Sequence, residues 1–116
     1  MALLSVILAV ASASQPLAIW SSSDTQLGQQ VRTAVEKAVA ASSSVHSVQS
    51  PQGDAPSLFV DDMRLVGNEV SFRIRIFVGE PLRSEELWSS IKTCPRDNLD
   101  RCAAEIVERL PDLSQR

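Results

Sequence analysis

The stretch that decides the fold runs from Leu58 to Val78 and reads LFVDDMRLV-GN-EVSFRIRIFV. Two segments in which apolar and polar residues alternate flank the dipeptide Gly67-Asn68. Such a dipeptide is typical of the two-residue turns that join antiparallel strands, and alternation is typical of strands with one buried face. The stretch therefore predicts a β-hairpin.

The turn also predicts which residues of the two strands face each other. The pairs on one face are all apolar: Leu65 with Val70, Met63 with Phe72, and Phe59 with Ile76. On the other face Asp62 lies opposite Arg73, and Val60 lies opposite Arg75. One face is thus predicted to be buried. We interpret Asp62, Arg73 and Arg75 as a charged docking surface, with a plain cross-strand ion pair on a solvated face as the alternative.

Asp61 interrupts this pattern, because the same register places it opposite Ile74 on the apolar face. A carboxylate there requires a partner or access to water. A β-bulge at Asp61-Asp62 or an uncovered rim of the sheet explains the position. The alternative is a carboxylate that binds a ligand.

The segments before the hairpin alternate between strand and helix. The apolar run Pro16–Trp20 predicts a first strand. Apolar residues at helical spacing predict an amphipathic helix over Leu27–Ala41, capped by Ser23 or Asp24. Val45–Gln49 predicts a second, short strand.

Two helices are predicted after the hairpin. Ser84 is placed as the cap of a short helix whose apolar positions are Leu87, Trp88 and Ile91. Asp97 or Asn98 is placed as the cap of a final helix that ends before Pro111. The predicted fold is therefore α+β, in the order β-α-β-β-β-α-α, with helices on one face of a small, mostly antiparallel sheet.

The first thirteen residues predict export. Ala2–Ala13 carries no charge, is largely apolar and ends in Ala11-Ser12-Ala13, a pattern that signal peptidase cleaves. The run is far shorter than the ~20 residues that span a bilayer. We predict a signal peptide over residues 1–13, a single domain over 14–116, a periplasmic or secreted location and no stable membrane span after processing. The segment lacks Lys and Arg after Met1, so a buried N-terminal strand or helix, or a start inside a longer gene, are the alternatives.

Two cysteines, Cys94 and Cys102, remain in the exported part. An even count in such a chain favours a disulfide. Pro95 interrupts a helix and lets Cys94 fold back toward Cys102. The alternatives are two buried thiols, or a redox pair influenced by the nearby Arg96 and Arg101.

The remaining chemistry is sparse. The formal net charge is −3, from 11 Lys and Arg against 14 Asp and Glu, which gives no attraction toward nucleic acid. The single histidine, His46, has no nucleophile motif around it, and the spacing of His and Cys matches no metal site. We predict a protein that is not an enzyme and holds no cofactor or metal.

The order of these elements resembles the small α/β domain at the N-terminus of TolB, and the domains of outer-membrane assembly lipoproteins of the curli-secretion type. The matching pieces are Leu17-Ala18-Ile19, the Leu27–Ala41 helix, the hairpin Phe59–Val66 and Glu69–Val78, Leu87-Trp88 and Ala104-Glu105-Ile106. The chain departs from this pattern between Cys94 and Cys102. The resemblance implies a non-catalytic periplasmic interaction domain and transfers no site residues.

The predicted function is an exported, non-catalytic binding or assembly domain of the cell envelope. It would contact a protein partner through a sheet edge or the hairpin face. One alternative is a small secreted thiol-redox or hydrolytic enzyme that uses Cys94 and Cys102. A stand-alone secreted inhibitor or toxin-like domain is another.

Overall fold

A computed structural model describes residues 14–22, 25–49 and 55–111. The predicted signal peptide, residues 1–13, lies outside this range. Within it the strands are β1 Gln15–Ser21, β2 Val45–Val48, β3 Ser57–Val66, β4 Glu69–Phe77 and β5 Glu86–Pro95. The helices are α1 Gln26–Ala41 and α2 Leu99–Glu108, and a 3-10 turn, Arg96–Asn98, precedes α2. A search of the described helices finds none with the length and apolar character needed to cross a membrane.

The five strands form one sheet in the order β2-β1-β3-β4-β5. β1 runs parallel to both of its neighbours, whereas β3, β4 and β5 are antiparallel to one another in turn. The α+β class is therefore confirmed, with a mixed sheet. α1 connects the parallel strands β1 and β2, as such a pairing requires a crossover.

The core lies between the sheet and the two helices. Alternate residues of β4 enter it, namely Val70, Phe72, Ile74 and Ile76. They pack with Val31 and Val35 of α1 and with Ala103 and Val107 of α2. Both helices thus cover one face, as predicted. The opposite face of the sheet, which neither helix covers, is the outer face.

The caps of the helices differ from the sequence-based prediction. The N-cap of α1 is Thr25, whose Oγ1 accepts a hydrogen bond from Gly28 N at 3.1 Å. Ser23 and Asp24, the predicted caps, lie outside the described residues. Asn98 occupies the N-cap position of α2, as expected, but its side chain makes no capping hydrogen bond.

The helix predicted to begin at Ser84 is wrong, because the chain forms strand β5 there. β5 pairs with β4 from Glu86 to Pro95, and this ladder buries Cys94 beside Val70. Ser84 instead closes a turn, since its Oγ donates to Glu80 O at 2.7 Å and accepts from Gly79 N at 3.1 Å. The element order is β-α-β-β-β-β-α, without the second of the three predicted helices.

Candidate functional site

A β-bulge in β3 sets the geometry of the candidate site. Near the turn the predicted register is confirmed, with Leu65 opposite Val70. The register then shifts between Asp61 and Arg64, and Asp62 adopts a left-handed φ of 55°. The bulge predicted at Asp61-Asp62 is therefore confirmed, because one extra residue of β3 is accommodated there.

The bulge changes every pairing beyond it by one residue. Asp61 lies opposite Arg73, and the next two pairs are Val60 with Ile74 and Phe59 with Arg75. The predicted pairs of Asp62 with Arg73, Val60 with Arg75, and Phe59 with Ile76 are consequently wrong. Val60 enters the core, whereas Phe59 and Asp61 point to the outer face.

Asp61 is the centre of an ion-pair cluster on the outer face. Arg73 donates to it twice, from Nε to Oδ1 at 3.0 Å and from Nη2 to Oδ2 at 2.7 Å. Arg75 Nη1 lies 3.7 Å from Oδ2. The Asp61 side chain is 13% exposed, so its need for a partner is met by two guanidinium groups. The alternative of a ligand-binding carboxylate has no support in this arrangement.

The same contacts act on Arg73. The hydrogen bonds that Arg73 donates to Asp61 and the charge of that carboxylate raise the pKa of Arg73 above its ordinary value. Arg73 therefore keeps its charge at every pH in ordinary use. A two-point hydrogen bond also fixes the plane of the guanidinium, so the side chain stays in position while it remains 41% exposed.

Arg75 is held by three kinds of contact. Besides Asp61, it pairs with Glu86 at the start of β5 and lies over the ring of Phe77, 5.0 Å from the centroid. Phe77 in turn meets Phe59 edge to face, with centroids 6.4 Å apart. Arg75 is therefore a structural part of the outer face, with little of its charge left for a partner.

Asp62 stands apart from this cluster. It pairs with Arg64, Nε to Oδ1 at 3.2 Å, in an exposed position on the bulge. The structure thus brings Arg73 and Arg75 together around Asp61 and leaves Asp62 beside them.

Ile91 lies on strand β5 and not, as predicted, on the buried side of a helix. It lies opposite Arg73 on the outer face and is 71% exposed. The predicted helix had made it an apolar contact with the core. The signal for a strand was present in the β-branched residues Ile91 and Thr93, which alternate with Ser90 and Lys92.

β5 is an edge strand within the described part of the chain. Arg96 N donates to Asn68 O at 2.8 Å, which fixes the alternation of the β4–β5 ladder. In an antiparallel pair, residues that bond to the neighbour alternate with residues whose backbone points away. The N–H and C=O groups of Ser89, Ile91 and Thr93 therefore point toward the open edge.

Cys94 and Cys102 form a disulfide, with their Cα atoms 5.7 Å apart. The bridge ties the end of β5 to α2. Cys94 is fully buried, so its sulfur is shielded from an attacking thiol. This geometry favours a structural bridge over a redox pair.

The other predicted absences concern metal and nucleophile chemistry. No group of three or more His, Cys, Asp or Glu in residues 14–22, 25–49 and 55–111 is arranged to hold a metal ion. His46 Nδ1 lies 2.7 Å from Ser14 Oγ at the exposed side of β2. The contacts described for His46 include no carboxylate that would orient its ring.

Comparison with known proteins gives a match at the level of the fold. No family model and no curated protein sequence matches the chain. A PelC dodecamer from Paraburkholderia phytofirmans has a TM-score of 0.50 and 15% identity, over 81% of this chain and 84% of that one. Protein XCC0632 from Xanthomonas campestris, of the family DUF330, has a TM-score of 0.56 and 11% identity, over 83% of each chain.

A third similar structure is the hypothetical protein CT253 from Chlamydia trachomatis. Its TM-score is 0.56 and its identity 10%, over 83% of this chain and 95% of that one. The likeness to TolB, as distinct from the assembly lipoproteins, stays a prediction. The chain shares its fold with PelC and with XCC0632, which agrees with the predicted resemblance to assembly-lipoprotein domains at the level of the fold.

Proposed function

We propose that this protein is an exported, non-catalytic binding or assembly domain of the cell envelope, which contacts a protein partner through β5 and the adjoining outer face. PelC, with which this chain shares its fold, is a dodecamer, which supports a role in assembly. The signal-peptide pattern of residues 1–13 supports export and a periplasmic or secreted location.

The observation that carries the proposal is the exposure of Ile91 in the middle of an open edge strand. β5 is ten residues long, and natural proteins usually protect such edges with short strands, charges or proline. Here Pro95 stands only at the end of the strand, and Lys92 protects the edge on the face that carries the helices, so the outer face around Ile91 has no charged residue of the central part of β5. An extended segment of another protein would add to this edge through main-chain hydrogen bonds.

Arg73 gives the edge its chemical preference. Asp61 engages its Nε and Nη2 atoms, so the guanidinium is oriented beside Ile91 before any partner arrives. A partner strand with an apolar residue opposite Ile91 and a carboxylate near Arg73 would fit this surface. Asp62 and Arg64 extend the charged part of the surface. Arg75 holds Asp61 in place through its own contact with that carboxylate.

Site-specific photocrosslinking in the native host tests this proposal. A photoreactive residue at Ile91 is expected to form one discrete adduct with an envelope protein. The matched control is the same residue at Glu105, an exposed position on α2. Replacing Arg73 with Ala in the Ile91 variant should weaken the adduct while circular dichroism stays native. Equal adduct patterns from Ile91 and Glu105 would show that β5 is no docking edge.

The enzymatic alternatives have less support. A redox function would need an accessible sulfur; Cys94 is buried in the core, and only the half-buried Cys102 is within reach of an attacking thiol. A hydrolytic function would need an oriented base, and the exposed pair of Ser14 and His46 has no described orienting partner. Both stay open to direct assay, by thiol exchange and by hydrolysis of ester substrates.

A further inference from the structure

We propose that two copies of this chain associate through their β5 edges, antiparallel to each other, with the two Ile91 residues on the twofold axis. The proposal rests on the proposed role of β5 as a docking edge and names a second copy as an occupant. It would join two five-stranded sheets into one continuous sheet.

The backbone of β5 is self-complementary about Ile91. Ser89, Ile91 and Thr93 each direct one N–H and one C=O toward the open edge. A twofold axis at Ile91 places Ile91 opposite itself and Ser89 opposite Thr93 of the second copy. The two strands then exchange about four to six main-chain hydrogen bonds in the pattern of an antiparallel ladder. The range reflects Thr93 O, which Cys102 Sγ already contacts at 3.8 Å.

The side chains of the outer face agree with this register. The most exposed large apolar side chain of the described residues, Ile91, meets its own copy. Ser89 and Thr93 are hydroxyl residues, and cross-strand pairs of this type form hydrogen bonds. Apolar surface that each free monomer exposes is therefore covered at the centre of the interface.

The charges in this register avoid direct repulsion. The two Arg73 side chains lie on the strands that flank the central pair, three strand spacings or ~14 Å apart, which exceeds the screening length in physiological salt. Lys92 lies opposite Ser90 of the second copy and only diagonal to the other Lys92.

The interface is small, and this sets the expected affinity. Pairing through one edge strand covers less surface than the ~1,200–2,000 Å² of standard stable complexes. The dimer should therefore be weak and concentration-dependent, with a dissociation constant on the order of 10 μM, the range of transient interfaces.

Charge-swap variants test the proposal with the purified mature chain. Ile91→Lys and Ile91→Glu, each alone, place like charges opposite each other and should weaken dimerisation at least about tenfold. An equimolar mixture of the two should form a heterodimer, because opposite charges then meet. Val66→Lys is the matched control: Val66 is a β-branched outer-face residue, 65% exposed, outside β5, and its variant should dimerise like the wild type.

Sedimentation velocity between about 5 and 500 μM is the measurement, with thermal unfolding to verify that each variant is folded. A wild type that stays monomeric at 500 μM overturns the proposal, as does a mixture that stays monomeric. Equal weakening by Val66→Lys overturns the assigned register. If the wild type is monomeric and the Ile91 crosslink to another envelope protein persists, self-association alone is wrong and the docking function stands.

Discussion

The disulfide between Cys94 and Cys102 is expected to contribute a large share of the stability of this small domain. The two cysteines are eight positions apart and close a short loop. The loop-closure term for such a bridge is about 2.5 kcal/mol at 25 °C, because the cross-link restricts the unfolded chain. Reduction leaves both sulfurs in place, so it should lower the free energy of unfolding by about that amount.

The double substitution of Cys94 and Cys102 by Ala should cost more than reduction does. Cys94 is fully buried among core residues, and removing its sulfur leaves a void of about methyl size, worth about 1 kcal/mol. The double variant is therefore expected to lose about 3.5 kcal/mol. For a domain of this length the corresponding drop in melting temperature is about 15–25 °C.

Urea unfolding followed by the fluorescence of Trp20 and Trp88 measures both effects. The oxidised protein, the protein in tris(2-carboxyethyl)phosphine and the double variant are compared at one pH. The dependence on urea should steepen once the bridge is open, because the unfolded chain then exposes more surface. A loss below about 1 kcal/mol on reduction would refute the loop-closure reasoning, and equal losses for the reduced protein and the variant would refute the packing role of Cys94.

Three further substitutions test the fold by urea or thermal unfolding. Phe72→Ala should cost about 3–5 kcal/mol, because this side chain is fully buried in the core; a loss near that of an exposed position would show that the helices do not cover this face. Thr25→Ala should cost about 1 kcal/mol by removing the cap of α1, whereas Thr25→Ser keeps the hydroxyl and should stay close to wild type. Asp62→Val should cost about 1–2 kcal/mol, because a β-branched residue resists the positive φ of the bulge. Asp62→Gly should be tolerated, and the reverse order of these two variants would place the bulge elsewhere.

The hairpin shows how far periodicity predicts register. The turn at Gly67-Asn68 and the pairs next to it follow from the sequence, because turn type and the apolar pattern both fix them. Beyond Arg64 the predicted register is wrong by one residue, because β3 contains one more residue than the register allowed for. A bulge is a local feature, and an exposed aspartate with positive φ leaves only a weak mark in sequence. Here the mark was Asp61, which had no suitable partner in the uninterrupted register.

In a segment as short as β5, the spacing of apolar residues does not distinguish a helix from a strand. Ser84 followed by Glu85 and Glu86 carries the signature of a helix start, and Leu87, Trp88 and Ile91 fit one helical face. Tertiary pairing overrides these local signals. As a strand, this segment forms main-chain hydrogen bonds with β4 and places Cys94 beside Val70 in the core. Alternation and helical spacing overlap over so few residues, so composition alone could not decide between them.

The surface proposed for docking depends on both of these departures. In the uninterrupted register of the same sequence, Asp61 would point into the core opposite Ile74, and Asp62 would take its place opposite Arg73. Without β5 as a strand, Ile91 would pack inward and no edge would present it beside Arg73. The three residues meet on one face only because one extra residue in β3 and one added strand act together. Deleting Asp62 joins Asp61 directly to Met63 and removes the extra residue of β3, so Asp61 stays opposite Arg73 in a regular ladder. The Ile91 crosslink should therefore persist wherever this variant folds, and its loss from a folded variant would contradict the assigned pairing of Asp61 with Arg73.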